Sequence, residues 1–559
     1  MEKRVFIAVI LCAGIFVAWQ QFLAPKPPAN APAMGASPTT SPTTTATAPT
    51  ATPPPAAGAP AAPTPGQAAA PASAVNHPER EIELRTPEVR YVLSSAGATL
   101  KHAQLLDPKY RQHKGDPSSG FDVVRTLDTP TAPYRISFPG SAFTPPGDGS
   151  WEVSQPSADT VVFQAETDAV RVEKRFRVGK ARYRLNLEVI VENKTAKPQP
   201  QHLALHVFTR QDPEGKSGGF FGGSSANTAA VLCHVSEKTE RTTVEKLSKD
   251  HESVEKTGTV RWVGADEKFF LVAAVPYPET PPRDRKCIER GLPGEVGEGV
   301  LSFSERELAP GERTTYAFEL FTGPKIIDDL DQVRPGDERV KLTESVDVTL
   351  AWLSGPILTL LNFFHRFSHN WGLAIILLTV FIKLITFYPT QRSLLSAKKM
   401  QKLGPKMAAI RKKYENDRQR QSVETMNLYK AHGVSPLGGC LPSLIQMPIW
   451  IALYSTLNYA VELHRSPFIL HIHDLTAKDP FYVTPLLMGG VMFLQMKMSP
   501  ASPDNQQQAM MSVMMPIMFT AFSLVLPSGL ALYMLTSYLI GILQQLYVNH
   551  VDRKAGGVA

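Results

Sequence analysis

Residues 371–388 read WGLAIILLTVFIKLITFY. At about 1.5 Å per residue a helix of this length nearly spans the hydrocarbon of a bilayer, and only one of its residues is charged. That residue, Lys383, lies between Ile382 and Leu384 inside the apolar run. A lysine at membrane depth costs roughly 2.5 to 3.5 kcal/mol, so it needs water, a partner or a path to the headgroups. Pro389 follows six residues later, placing the amine roughly 9 Å inside one end of the span, within snorkelling reach. Thr379, Lys383, Thr386 and Thr390 recur at helical spacing, so one face of the predicted helix is polar through half the bilayer. A bare snorkel does not call for that stripe; a hydrated cavity does.

Further candidate spans follow at 437–461, 481–496, 509–526 and 530–547, the last two split into a tight hairpin by Pro527-Ser528-Gly529. They answer Lys383 with stripes of their own: Ser443, Gln446, Trp450, Tyr454 and Asn458; Ser512, Thr520 and Ser523; Tyr533, Ser537 and Gln544. One such stripe serves equally well as interhelical glue. Several of them around one lysine favour a wet interior. No acidic residue within these spans stands opposite Lys383, the nearest being Glu462 at the far end of 437–461, so the charge is available to a visiting anion. Met488, Met492, Met496, Met498, Met510, Met511, Met514, Met515 and Met518 crowd the fourth and fifth spans and the loop between them. They either fill the core or form an adaptable apolar surface.

The segment 391–436 carries Arg392, Lys398, Lys399, Lys402, Lys406, Arg411, Lys412, Lys413, Arg418, Arg420 and Lys430 against Glu415, Asp417 and Glu424, as expected of a cytoplasmic loop. Leu403, Met407, Ile410 and Tyr414 share one helical face, and Asp417 can cap a second helix ending at Gly433, which predicts a helical hairpin. Its charges suit topology setting and an anionic partner equally. Upstream, 346–367 is apolar but broken by Pro356, Asn362, His365 and Arg366, so 339–370 reads as a helix lying on the membrane face.

Residues 77–338 alternate with period two, as in Val170, Val172, Phe176 and Val178, or Tyr183, Leu185, Leu187, Val189 and Val191, or Tyr316, Phe318 and Leu320. Half-buried antiparallel strands separated by turn-rich stretches such as 217–225 predict a β-sandwich outside the cytoplasm. Cys233 and Cys287 fall in it, and their spacing leaves a bridge open in either direction. Residues 25–76 are a Pro/Ala/Thr-rich tether, and 1–24 reads as a membrane anchor in preference to a cleaved signal peptide. With the five-helix core at 371–550 and a tail at 551–559, six spans put both termini on the cytoplasmic side.

A net charge of +7 over 559 residues and four cysteines give no nucleic-acid footprint, disulfide scaffold or zinc cluster. His464, His471, His473 and Asp474 lack metal-ligand spacing, and no catalytic triad motif, phosphate loop or dinucleotide fingerprint is present. Neither an enzyme nor a cofactor is expected. A transporter or channel with a fused carbohydrate-binding β-domain would want inverted repeats and a mid-membrane acid. An enzyme of envelope polymers would want clustered carboxylates or histidines at one face. The sequence offers neither.

Several stretches resemble the YidC/Oxa/Alb family of membrane protein insertases. They are Asn370-Trp371-Gly372, Tyr388-Pro389, the segment 427–450 (NLYKAHGVSPLGGCLPSLIQMPIW), His473-Asp474-Leu475 with Asp479-Pro480, Lys497-Met498-Ser499-Pro500, Pro527-Ser528-Gly529-Leu530 and, upstream, 321–325 (FTGPK). The resemblance implies a periplasmic β-supersandwich and a core whose water-filled groove opens to cytoplasm and lipid. It also implies that Lys383 stands where most bacterial relatives carry arginine, keeping the charge without the planar fork. Thr379, Gln446, Met447 and Tyr533 match groove positions, with Thr386, Ser537 and Thr520 beside them, while Met534 replaces a common tyrosine. The implied partners are nascent integral membrane proteins, the Sec translocon with its SecDF subunits, ribosome–nascent chain complexes on the basic hairpin and tail, and inner-membrane lipids.

Overall fold

The computed structural model describes residues 78–111, 120–126, 129–141, 143, 151–211, 228–250, 253–280, 284–346, 350–433, 441–498 and 506–556. The expected anchor, the tether and the turn-rich stretch 217–225 lie outside the described residues.

The alternating segments form an antiparallel sheet in the spatial order Lys238–Thr243, Ala230–Val235, Val260–Glu267, Phe270–Pro276, Arg313–Pro324, Arg184–Asn193, Val170–Val178, Thr160–Glu166, Glu152–Ser157. Val170, Val172, Phe176, Leu187, Val189, Val191, Tyr316, Phe318 and Leu320 are fully buried, so the period-two face is the core face. A five-stranded sheet, in the order Val254–Gly258, Arg285–Leu292, Val296–Phe303, Ala204–Arg210, Arg135–Ser137, packs against it. Glycine is required at 299, where an added Cβ would come within 2.8 Å of Val231 and 2.9 Å of Val263 in the facing sheet. Cys233 and Cys287 form a disulfide across the two sheets, with Cα atoms 6.2 Å apart, which settles the pairing that spacing left open. At the FTGPK stretch Lys325 is buried and ion-paired at 2.7 Å with buried Asp266, which Arg241 also holds. Two cations thus balance the charge of one buried carboxylate.

Beyond residue 350 the described residues form nine helices: α1 (Ala351–Ser368), α2 (Trp371–Ile385), α3 (Phe387–Lys402), α4 (Gly404–Lys413), α5 (Arg418–Ala431), α6 (Leu441–Tyr459), α7 (Val483–Met498), α8 (Gln506–Ser523) and α9 (Ser528–Gly556). Among the described residues only Ser528–Val551 is by itself long and apolar enough to cross a membrane, and α2 with α3 passes together as a pair bent by 62°. The predicted span 371–388 therefore does not run straight through: the chain bends at Thr386 and continues as helix. Pro389 accounts for this, because it has no N–H to give the Ile385 carbonyl. The predicted hairpin forms from α4 and α5, with Asp417 Oδ1 accepting from Arg420 N at 2.9 Å as the α5 cap.

The α6–α7 connection docks on the β-sandwich. Val461 is wholly buried within the sandwich's apolar cluster. Lys109 Nζ donates to the carbonyls of Val461 (3.1 Å) and Glu462 (2.7 Å), and Arg465 donates to the carbonyls of Tyr110 and Arg111. The His464 ring lies 4.7 Å from that of Phe269 and 6.4 Å from that of Tyr110. Burial pushes this imidazole down to about 4, so it docks neutral. His471 Nε2 instead meets Asp479 at 3.1 Å, and Asp474 Oδ1 accepts from the backbone of Arg465 and Thr476. These side chains thus serve separate local bonds. At the α8–α9 hairpin, Ser528 N and Gly529 N donate to the carbonyls of Ala477 and Leu475, so the Pro-Ser-Gly turn is gripped by the same connection.

Candidate functional site

Asn370 starts α2 by accepting from Leu373 N at 3.1 Å, and its amide donates to the Phe468 carbonyl at 3.3 Å. Gly372 lies so close to the Phe468 ring that a Cβ there would come within 2.0 Å, which explains the glycine after Trp371. These contacts fix the far end of α2 and leave Lys383 in its last turn, just before the bend. Downstream, Gln544 of α9 donates to the Phe387 carbonyl at 3.2 Å, and Lys398 Nζ donates to the Val548 carbonyl at 3.3 Å. Helix α9 is thus tied to α3, the second limb of the bend, and it packs against α2 as well.

Lys383 Nζ lies 3.4 Å from Gln446 Oε1 of α6, and Gln446 Nε2 donates to the Tyr533 hydroxyl of α9. Lysine, amide and phenol form one chain across three helices. Among the described residues no carboxylate pairs with Lys383. The 3.4 Å contact is long for a hydrogen bond, so it holds the amine in place without neutralising it. Tyr533 is 1% exposed, which makes it the inner wall of this chain. Thr379, one turn above Lys383, is fully buried with Oγ1 donating to the Ile375 carbonyl at 2.7 Å, and Thr386 does the same to Ile382 at 2.9 Å. Both hydroxyls are thus committed to their own helix. Ser537 is buried one turn beyond Tyr533.

Two of the predicted site residues sit apart from this chain. Met447 is 38% exposed, although it neighbours Gln446. Thr520 bonds its own helix at the Pro516 carbonyl (2.7 Å) and packs where a Cβ on Gly489 would lie 2.0 Å from its Oγ1. Its position is a close α7–α8 crossing. Of the methionines, Met488 and Met492 are core, whereas Met514 and Met518 are exposed. Exposed Leu384, Ile385, Leu486, Leu487, Ile517 and Leu543 supply an apolar exterior, which suits lipid. The indole N–H of Trp450 is buried with no hydrogen-bond partner among the described residues. Sequence reasoning missed the bend itself, although Pro389 signals it, and missed the bond by which Gln544 ties the start of α3 to α9.

Comparison with known proteins gives two family matches: "YidC periplasmic domain" over residues 81–360 and "60Kd inner membrane protein" over 363–555. The membrane protein insertase YidC of Syntrophus aciditrophicus is 33% identical, over 98% of this chain and 99% of that protein. That of Geobacter metallireducens is 34% identical over 98% of each. A solved active YidC insertase aligns over 84% of this chain and 93% of its own at 19% identity, with a TM-score of 0.35.

Proposed function

The chain belongs to the YidC family of membrane protein insertases, and from that premise we propose that its clients enter the bilayer along the Lys383–Gln446–Tyr533 chain. The observation that carries the reading is a cation in the last turn before a helix bend, held by an amide and left without a counter-ion among the described residues. A hydrated half-channel there lowers the cost of moving a short polar or acidic segment partway across, and Lys383 attracts it. The client's own apolar helix supplies the drive into lipid, past Met447 and the exposed methionines of α8. Thr379, Thr386 and Ser537 shape the groove walls by packing, while Thr520 holds the α7–α8 crossing. No nucleotide is consumed.

The topology that suits this mechanism has six spans: the anchor at 1–24, α2, α6, α7, α8 and α9. Both termini and the basic α4–α5 hairpin face the cytoplasm, and the β-supersandwich of 77–338 faces the periplasm. The Cys233–Cys287 disulfide favours that orientation, because such bonds persist in oxidising compartments. Helix α1, with Trp352, Phe363 and Phe367 exposed, lies along the periplasmic membrane surface within 339–370. The hairpin and the tail at 551–559 receive ribosome–nascent chain complexes and lipid headgroups, and insertion proceeds alone or with the Sec translocon and SecDF.

A photocrosslinker at Met447, with buried Met488 as control, tests the route. Labelling of a stalled nascent client from position 447 and not from 488 supports it. Silence at 447, or equal labelling at both positions, refutes it.

A further inference from the structure

The outer face of the five-stranded sheet holds a second polar array, remote in sequence from the helical core. Ser137 Oγ lies 2.7 Å from His206 Nε2, and His206 Nδ1 lies 2.7 Å from Glu298 Oε1. The three residues come from neighbouring strands: Ala204 pairs with Ser137, and Phe208 pairs with Glu298. Because side chains two apart on a strand share a face, Ser137, His206 and Glu298 project to the same side. His206 is 8% and Glu298 7% exposed, whereas Ser137 is only partly buried. The base and its orienting carboxylate are therefore desolvated while the hydroxyl keeps access to the surface. Arg290 Nη1 lies 3.9 Å from the other Glu298 oxygen, and the His206 ring stacks on Phe208 at 6.1 Å. These contacts hold the carboxylate and the ring plane in place.

We propose that Ser137, His206 and Glu298 form a nucleophilic hydrolase triad that cleaves carboxylic esters on the β-sandwich, an activity separate from insertion. The nitrogens are arranged as the chemistry requires: Glu298 accepts from Nδ1–H, which leaves Nε2 to accept the Ser137 proton. As Oγ bonds to the ester carbonyl carbon, that proton moves to Nε2. The acyl carbon–alkoxy oxygen bond then breaks, and the alcohol departs with the proton from Nε2. Water attacks the acyl-Ser137 by the same proton route and releases the carboxylic acid and free Ser137. Nothing is oxidised or reduced. Arg135 lies directly across from His206 and hence on this face, with its Nη1 donating to the Pro130 carbonyl at 3.0 Å. Ser137, His206 and Glu298 are separated by 69 and 92 residues, so no contiguous motif announces them.

The test is labelling of the full-length protein in detergent with a fluorophosphonate, whose fluoride Ser137 Oγ would displace while its proton passes to His206. Peptide mapping should place the label on Ser137, and Ser137→Ala should abolish it. His206→Gln, which keeps a hydrogen-bonding partner for the hydroxyl, should slow labelling about 100-fold, and Glu298→Gln should slow it less. Folding of each variant is checked by retention of the Cys233–Cys287 disulfide and by circular dichroism. A folded wild type that takes no label, a label mapped elsewhere, or a His206→Gln protein that labels at the wild-type rate would overturn the proposal. None of these results bears on the groove, which is read by client crosslinking.

Discussion

Replacing Lys383 with glutamine should penalise clients in proportion to the acidity of the segment they translocate. The amine loses little of its own in the exchange, since its contact with Gln446 is 3.4 Å long and such bonds contribute about 0.5–1.5 kcal/mol at most. What is lost is attraction. A client carboxylate about 4 Å from Nζ gains about 1 kcal/mol if the groove screens like bulk water and about 4 kcal/mol at an effective dielectric near 20. The expected defect for one acidic residue is therefore roughly 5-fold to 1,000-fold, and near zero for the same client with asparagine in its place. The assay is a double-mutant cycle in proteoliposomes, pairing Lys383→Gln with an Asp→Asn change in the translocated tail and measuring protease-protected client. A coupling of about 1–4 kcal/mol supports the charge role. Lys383→Arg should retain insertion and Lys383→Glu should block the acidic client altogether. Additive effects, with both clients impaired equally, would refute the reasoning by reducing Lys383 to a packing residue.

Three further outcomes follow from the described contacts. Cys233→Ala with Cys287→Ala should cost the β-sandwich about 4 kcal/mol in the chain-entropy account of a 54-residue separation, read as a lowered urea midpoint. Unchanged unfolding would contradict it. The pH dependence of docking rests on His464, whose burial lowers it from 6.5 to about 4. Because the docked form holds the neutral ring, docking is at full strength above pH 6.5 and weakens as pH falls toward 4, by about 2 kcal/mol at pH 5. Hydrogen exchange at 461–465 should rise accordingly, and His464→Phe should flatten the profile; a slope that survives this substitution would point to another group. Gln544→Leu should remove the side-chain bond that ties the Phe387 carbonyl, at the start of α3, to α9, at a cost of about 0.5–1.5 kcal/mol. Spin labels on α2 and α3 should then report a broadened distance distribution, and an unaltered one would remove Gln544 from the account.

The parts of the fold governed by local pattern were legible in the sequence. Period-two burial at Val170, Val172 and Phe176 gave the strands, the Asp417 cap gave the start of α5, and Pro527-Ser528-Gly529 gave the hairpin. In the site, Lys383, Gln446 and Tyr533 could each be picked from stripe positions, and the structure joins them. Thr379 and Thr386 looked alike on the helical wheel, but a threonine hydroxyl can turn back to its own helix carbonyl, and periodicity is blind to that choice. The bend at Thr386 was partly visible in Pro389, but its 62° angle was not. What pattern could not reach were long-range pairings: the Cys233–Cys287 bridge, the burial of Val461 in the sandwich core, and Ser137, His206 and Glu298 on three neighbouring strands. Sheet register creates those neighbours, and register is a property of the folded chain.

The most direct measurement is water access at the middle of the lysine–amide–phenol chain. In a protein carrying Cys12→Ser, Cys440→Ser and Gln446→Cys, a membrane-impermeant maleimide applied from the cytoplasmic side of inverted vesicles should modify position 446 while the bilayer is intact. Modification only after detergent solubilisation would mean that hydrocarbon fills this space, and the client path along Lys383 would not exist.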